Sequence, residues 1–89
     1  MKSAQAENWW VYIVECADGT LYTGCAKDLE QRILAHNQGS GAKYTKVRLP
    51  VKLKYQLEAP DRSVAQHLEA EIKKLSRQQK QELIAGESI

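Results

Sequence analysis

The most constraining feature of this chain is a single short segment, Trp9 to Gly24, that can only fold back on itself. Trp9-Trp10-Val11-Tyr12-Ile13-Val14 is an aromatic and β-branched run of strand type. Asp18-Gly19 is a strong turn signal, and Thr20 to Gly24 resumes extended structure, which makes a β-hairpin. The turn decides which side chains share a face. A two-residue loop would pair Tyr12 with Cys25 and place Tyr22 on the opposite face. A three-residue loop, Ala17-Asp18-Gly19 with a left-handed glycine, shifts the register by one. Val14 then faces Tyr22, Tyr12 faces Gly24, and both phenols stand together. We expect the three-residue loop, with Gly24 leaving room for the Tyr12 ring. In either register Cys16 and Cys25 are not opposite one another, so free thiols are expected.

The remaining chain supplies what must cover this hairpin. Asp28 with Gln31 reads as a capping box ahead of a helix carrying Leu29 and Ile33, which Gly39 ends. Residues 39–46 form a loop or short helical turn. Val51, Leu53, Tyr55 and Leu57 alternate with polar residues, the pattern of a strand with one buried face. Ser63 is expected to cap a helix bearing Ala65, Leu68, Ile72 and Leu75. Ser76 and Gln79 form a second capping box, where the helix bends or restarts, and Gly86 is expected to end the last piece. The fold class is α+β: a small three-stranded antiparallel sheet flanked by helices, in the order β-β-α-α-β-α-α.

At 89 residues the chain has room for one core, expected over residues 9–86, with a disordered leader at 1–8 and a tail at 87–89. Hydrophobic residues make up 43% and charged residues 27%, a globular composition. No apolar run approaches the roughly 20 residues of a membrane helix, and Met1 to Asn8 lacks the apolar stretch of a secretory signal, so a cytoplasmic location is expected. Two cysteines are too few for a disulfide framework or a four-ligand zinc site. The net charge is only +2, but Lys27, Arg32, Lys43, Lys46, Arg48, Lys52 and Lys54 crowd the middle against Asp28 and Glu30. That distribution suggests a local anion site, or else a solvated charged face.

Arg32 and His36 lie four apart and share one helix face. Arg32 offers an always-charged fork suited to a phosphate; its bland reading is a surface salt bridge. His36 could accept a proton or orient a tyrosine, or could simply favour the helix dipole. Lys43, Lys46 and Arg48 with Tyr44 among them suit a nucleic-acid backbone. Three to five phosphate contacts would give a log K against log salt slope of roughly −3 to −5. No array of base-reading side chains is visible.

With these residues in view, the chain resembles the GIY-YIG nuclease superfamily, in particular its small stand-alone members. The first motif stands as Trp10-Val11-Tyr12 and the second as Tyr22-Thr23-Gly24; Arg32, His36-Asn37, Gly41-Ala42-Lys43-Tyr44-Thr45 and Glu69 follow in order. The resemblance implies a divalent-metal-dependent endonuclease acting on DNA with little sequence specificity, in repair or recombination. Glu69 would hold one weakly bound Mg²⁺ or Mn²⁺; the bland reading pairs it with Lys73. Tyr12, Tyr22, Arg32 and His36 would be catalytic, one tyrosine being the general base or its relay and Tyr12 the favoured base. Gly24 and Asn37 would be structural. Cys25 stands where some members carry a lysine that helps deprotonate a tyrosine. The alternative is therefore a nucleic-acid-binding module with little cleavage. A monomer is expected, with room for a targeting partner protein.

Overall fold

The computed structural model describes residues 8–87. The expected leader, apart from Asn8, and the expected tail, apart from Glu87, lie outside the described residues. The elements are β1 (Trp9–Glu15), β2 (Leu21–Ala26), α1 (Leu29–Asn37), α2 (Lys43–Lys46), β3 (Lys52–Ala59), α3 (Arg62–Lys73) and α4 (Arg77–Glu87). They make one antiparallel sheet of order β2-β1-β3 with helices on both faces.

β1 is central, so both of its faces are covered. Val11 and Ile13 pack toward α3 and α4; Tyr12, Val14 and Cys16 pack toward α1. Each of Val11, Ile13 and Val14 is fully buried, and burial of such a side chain contributes about 1.5–3 kcal/mol.

The hairpin adopts the three-residue loop. Cys16 N–H donates to Thr20 O at 2.8 Å, Gly19 N–H donates to Cys16 O at 2.9 Å, and Gly19 has φ +86°. Tyr12 therefore pairs with Gly24 and Val14 with Tyr22. Cys16 and Cys25 are free thiols.

Asp28 caps α1 by accepting from Gln31 N–H at 3.1 Å. At the other end Ser40 N–H donates to Ala35 O and Gly39 N–H to His36 O, both at 2.9 Å, with Gly39 at φ +86°. That is a Schellman stop, and it seats His36 in the last turn.

Three local expectations are corrected. β3 does not keep one buried face: Ile13 pairs with Tyr55 but Val14 with Leu53, so Lys54 is an extra residue in the ladder. The bulge inverts parity. Tyr55 and Leu57 join the α3/α4 core, Val51 joins the α1 side, and Leu53 lines an open groove of about 920 Å³ with Trp10, Leu29, Ile33 and Leu34. α3 begins at Arg62, two residues earlier than a Ser63 cap would place it, because Asp61 accepts from Val64 N–H at 2.9 Å and takes the capping position. Gly86 does not end α4, which continues to Glu87; among the described residues only Gly19 and Gly39 take positive φ. The capping box at Ser76 forms as expected, with Ser76 N–H to Gln79 Oε1 at 2.9 Å and Gln79 N–H to Ser76 Oγ at 3.1 Å.

Candidate active site

The central and edge strands bring the two phenols to one face of the sheet, and α1 lies over them. Tyr12 on β1 is buried; Tyr22 on β2 is partly exposed. The fully buried His36 imidazole meets both rings edge-on, at centroid distances of 5.8 Å to Tyr12 and 5.6 Å to Tyr22. Its Nε2 lies 2.9 Å from the Tyr12 hydroxyl and its Nδ1 2.8 Å from the Thr45 hydroxyl of α2.

Burial pushes the Tyr12 phenol well above the ordinary tyrosine range, and the neighbouring Tyr22 and Glu69 raise it further against the opposing charge of Arg32. Burial lowers His36 below the usual histidine value, and the Arg32 guanidinium lowers it further. The pocket therefore holds a neutral phenol against a neutral imidazole at pH 7. Arg32 itself is exposed and makes no ion pair among the described residues, so its fork is free for an anion.

Glu69 comes from α3. Its carboxylate takes the Lys73 ammonium at 3.0 Å and also acts on the Cys25 thiol. Burial, reinforced by Glu69, pushes that thiol up to about 11. The Glu69 bond raises Lys73, whose charge also reaches Tyr22 and Cys25. The i, i+4 pairing of Glu69 and Lys73 that the sequence offered as the bland reading thus forms, and the same carboxylate remains near enough to Tyr12 to act on it.

No group of three or more His, Cys, Asp or Glu side chains able to hold a metal occurs among the described residues. The donor set is one carboxylate with hard oxygens. It fits a largely hydrated Mg²⁺ or Mn²⁺ that shares its shell with phosphate oxygens, and does not fit a caged ion.

The basic segment divides. Lys43 and Lys46 are exposed. Arg48 is committed to the fold: it donates to Tyr44 O at 2.7 Å, pairs with Asp18 at 3.1 Å, and lies over the Tyr44 ring at 4.0 Å. Tyr44 is also stacked on Tyr22, with ring centroids 5.8 Å apart. This ladder braces Tyr22, while Tyr44 itself stays exposed. Asn37 holds the start of β3 through two bonds with Val51, donating to its carbonyl at 3.2 Å and accepting from its N–H at 2.7 Å.

Sequence reasoning passed over Thr45 and Gly41. A Cβ on Gly41 would stand 2.7 Å from His36 Cγ, so only glycine lets this loop approach the imidazole. Both lie in the Gly41–Thr45 motif stretch, but neither carries a charge or ring that would mark it.

The family model described as the GIY-YIG catalytic domain matches residues 8–82. The chain belongs to the GIY-YIG family. A UPF0213 protein of Staphylococcus saprophyticus is 57% identical over 76 residues, covering 85% of this GIY-YIG chain and 93% of the relative. A UPF0213 protein of Staphylococcus aureus is 54% identical over 78 residues, covering 88% and 95%. The solution structure of a UPF0213 protein of Bacillus halodurans superposes with a TM-score of 0.57 at 44% identity, covering 88% of this chain and 83% of that one. That of a protein of E. faecalis gives a TM-score of 0.61 at 35% identity, covering 90% and 85%. A GIY-YIG domain suggests a nuclease and a nucleic-acid substrate. No helix among the described residues is long and apolar enough to cross a membrane.

Proposed function

We propose that this GIY-YIG domain is a divalent-metal-dependent endonuclease that hydrolyses DNA phosphodiester bonds with little sequence preference, selecting substrates by structure. One observation carries the reading. Two phenols and an imidazole from three separate elements meet on one face of the sheet, the charges of Arg32 and Glu69 both act on Tyr12, and Arg32 makes no ion pair among the described residues.

Hydrolysis requires a proton to leave the attacking water, charge on the phosphate to be neutralised, and the leaving oxygen to be stabilised. Burial separates the two phenols. Tyr12 is held neutral, and a negative charge on Tyr22 would raise it further, so the pair cannot both ionise. Tyr22, the more exposed phenol, is therefore assigned to meet the water, and Tyr12 to support it, the reverse of the order expected from the sequence. Arg32 grips the non-bridging phosphate oxygens with its fork. Glu69 would hold the Mg²⁺ or Mn²⁺, which supplies Lewis-acid neutralisation of the phosphate charge. Lys43 and Lys46 hold the flanking backbone.

The presence of Cys25 after the second motif, with Lys73 tied to Glu69 instead, favours a second reading: a DNA-binding module with little turnover. Purified protein incubated with supercoiled plasmid and with branched or single-stranded DNA separates the two. Metal-dependent nicking abolished by Glu69→Gln supports the nuclease. Salt-sensitive binding with no product in either protein supports the module.

A further inference from the structure

Three consecutive hydrogen bonds run through the interior behind the partly exposed Tyr22 ring. Tyr12 Oη lies 2.9 Å from His36 Nε2, His36 Nδ1 lies 2.8 Å from Thr45 Oγ1, and Thr45 Oγ1 lies 3.1 Å from the Ala42 carbonyl. The three side chains are 2%, 1% and 0% exposed. Such a chain has a direction, and its far end determines it. A carbonyl can only accept, so Thr45 gives its single proton to Ala42. The Thr45 oxygen must then accept, which requires a proton on His36 Nδ1. A neutral imidazole carries one N–H, so Nε2 is left with its lone pair and the Tyr12 hydroxyl donates to it.

The opposite direction is poorer. Thr45 would donate to Nδ1 and face the Ala42 oxygen at 3.1 Å with no proton between them. The Tyr12 proton would also have to leave His36 for a partner that no described side chain provides. The forward arrangement makes three bonds where the reverse makes two. Burial and the Arg32 charge keep the imidazole in the neutral form that the argument needs.

We infer that Thr45 is a positioning residue that fixes His36 as the Nδ1–H tautomer and thereby leaves the Tyr12 oxygen with only lone pairs for any further partner. Its seat is built for this. α2 hangs from Ala42, whose carbonyl also takes Lys46 N–H at 3.0 Å, and Arg48 N–H closes on Thr45 O at 2.9 Å. Gly41 permits the approach, because a Cβ there would collide with the ring.

The catalytic consequence rests on the nuclease reading. A proton from the attacking water, or from Tyr22 as it receives that proton, forms a new O–H bond on Tyr12. The original Tyr12 O–H breaks as Nε2–H forms. His36 becomes an imidazolium whose two N–H groups already have acceptors in Tyr12 and Thr45. With the other tautomer the Tyr12 hydroxyl would point its proton outward and could not receive one.

Two-bond ¹H–¹⁵N correlation spectra of ¹⁵N-histidine-labelled protein at pH 7.5 test the tautomer directly, with exposed His67 assigned by its removal. Wild type should show a protonated Nδ1 and an unprotonated Nε2 on His36. Thr45→Ser should keep that pattern, and Thr45→Val should move the proton to Nε2. A wild-type Nε2–H tautomer overturns the inference, and so does a Thr45→Val protein that keeps Nδ1–H. Should Thr45→Val fail to fold, the wild-type and Thr45→Ser spectra still decide. In plasmid nicking, Thr45→Ser should stay within about threefold of wild type and Thr45→Val should lose about 100-fold in kcat with KM little changed. Equal cleavage by wild type and Thr45→Val removes the catalytic role. Absence of cleavage in every variant would instead sink the nuclease reading and leave the tautomer result standing.

Discussion

The Tyr12 hydroxyl fills the space that a side chain at Gly24 would need. A Cβ on Gly24 would stand 2.5 Å from Tyr12 Oη and 2.7 Å from Cζ. Gly24 lies directly opposite Tyr12 across the β1–β2 ladder, so backbone movement cannot relieve the clash without breaking the pairing. Gly24→Ala is expected to swing the phenol off His36 and to destabilise the domain by about 1–3 kcal/mol. Urea unfolding measures the stability, and plasmid nicking should fall more than tenfold. A variant as stable and as active as wild type would show that the phenol's position is not fixed by this contact.

His36 should make both stability and activity depend on pH. Its folded pKa lies below the ordinary value of 6.5, under burial and the charge of Arg32 on the same helix; Tyr12 and Tyr22 face it from the sheet, with Tyr44 behind Tyr22. A depressed pKa stabilises the fold fully above about pH 6.5 and loses that contribution as pH falls through the folded value. The urea midpoint should therefore drop between pH 7 and pH 5 in wild type, and drop less in His36→Gln. The acid limb of cleavage should lie below pH 6.5. A midpoint with the same pH dependence in both proteins would exclude His36 as the cause.

Lys73 competes with any cation for Glu69. Its ammonium sits 3.0 Å from Glu69 Oε2 but is itself half exposed, so the pair contributes only about 0.2–1 kcal/mol to stability. Lys73→Met should lower the Mn²⁺ concentration needed for half-maximal paramagnetic broadening near Glu69 several-fold, while the melting temperature changes little. Unchanged broadening would mean that the ion does not use this carboxylate oxygen.

Arg48 and the lysines beside it should separate in their effects. Arg48→Ala should lower the melting temperature, because Arg48 ties the Tyr44 ladder to the hairpin turn at Asp18. Lys43→Glu and Lys46→Glu should leave stability unchanged and weaken DNA binding about equally for any sequence. With Arg48 committed, Arg32, Lys43 and Lys46 are left as contacts, and the salt slope should be about −3. A slope near −5 would require basic residues elsewhere on the surface.

Thr23 carries a buried hydroxyl with no hydrogen-bond partner among the described residues. Thr23→Val removes that group at nearly constant shape, and should be neutral or stabilise the fold by up to about 1 kcal/mol. A loss above 1 kcal/mol would reveal a partner for the hydroxyl.

Much of this protein was legible in local chemistry. Turn length set hairpin register through Gly19, so the shared face of Tyr12 and Tyr22 followed from a few residues. The helix boundaries at Asp28, Gly39 and Ser76 followed in the same way, because caps and left-handed glycines act over three or four residues. β3 could not be read so, since the extra residue at Lys54 exists only relative to the partner strand. The start of α3 turned on a choice between two capping residues two positions apart, Asp61 and Ser63, that local propensity does not rank. The site divides along the same line. Spacing alone put Arg32 and His36 on one face, the turn put Tyr22 beside Tyr12, and the family resemblance singled out Glu69. Only the folded chain could spend Arg48 on Asp18, turn Tyr44 into a brace, hide Tyr12 while exposing Tyr22, and close His36 against Thr45. Those outcomes depend on burial and on distances between residues far apart in the chain, which no local pattern encodes.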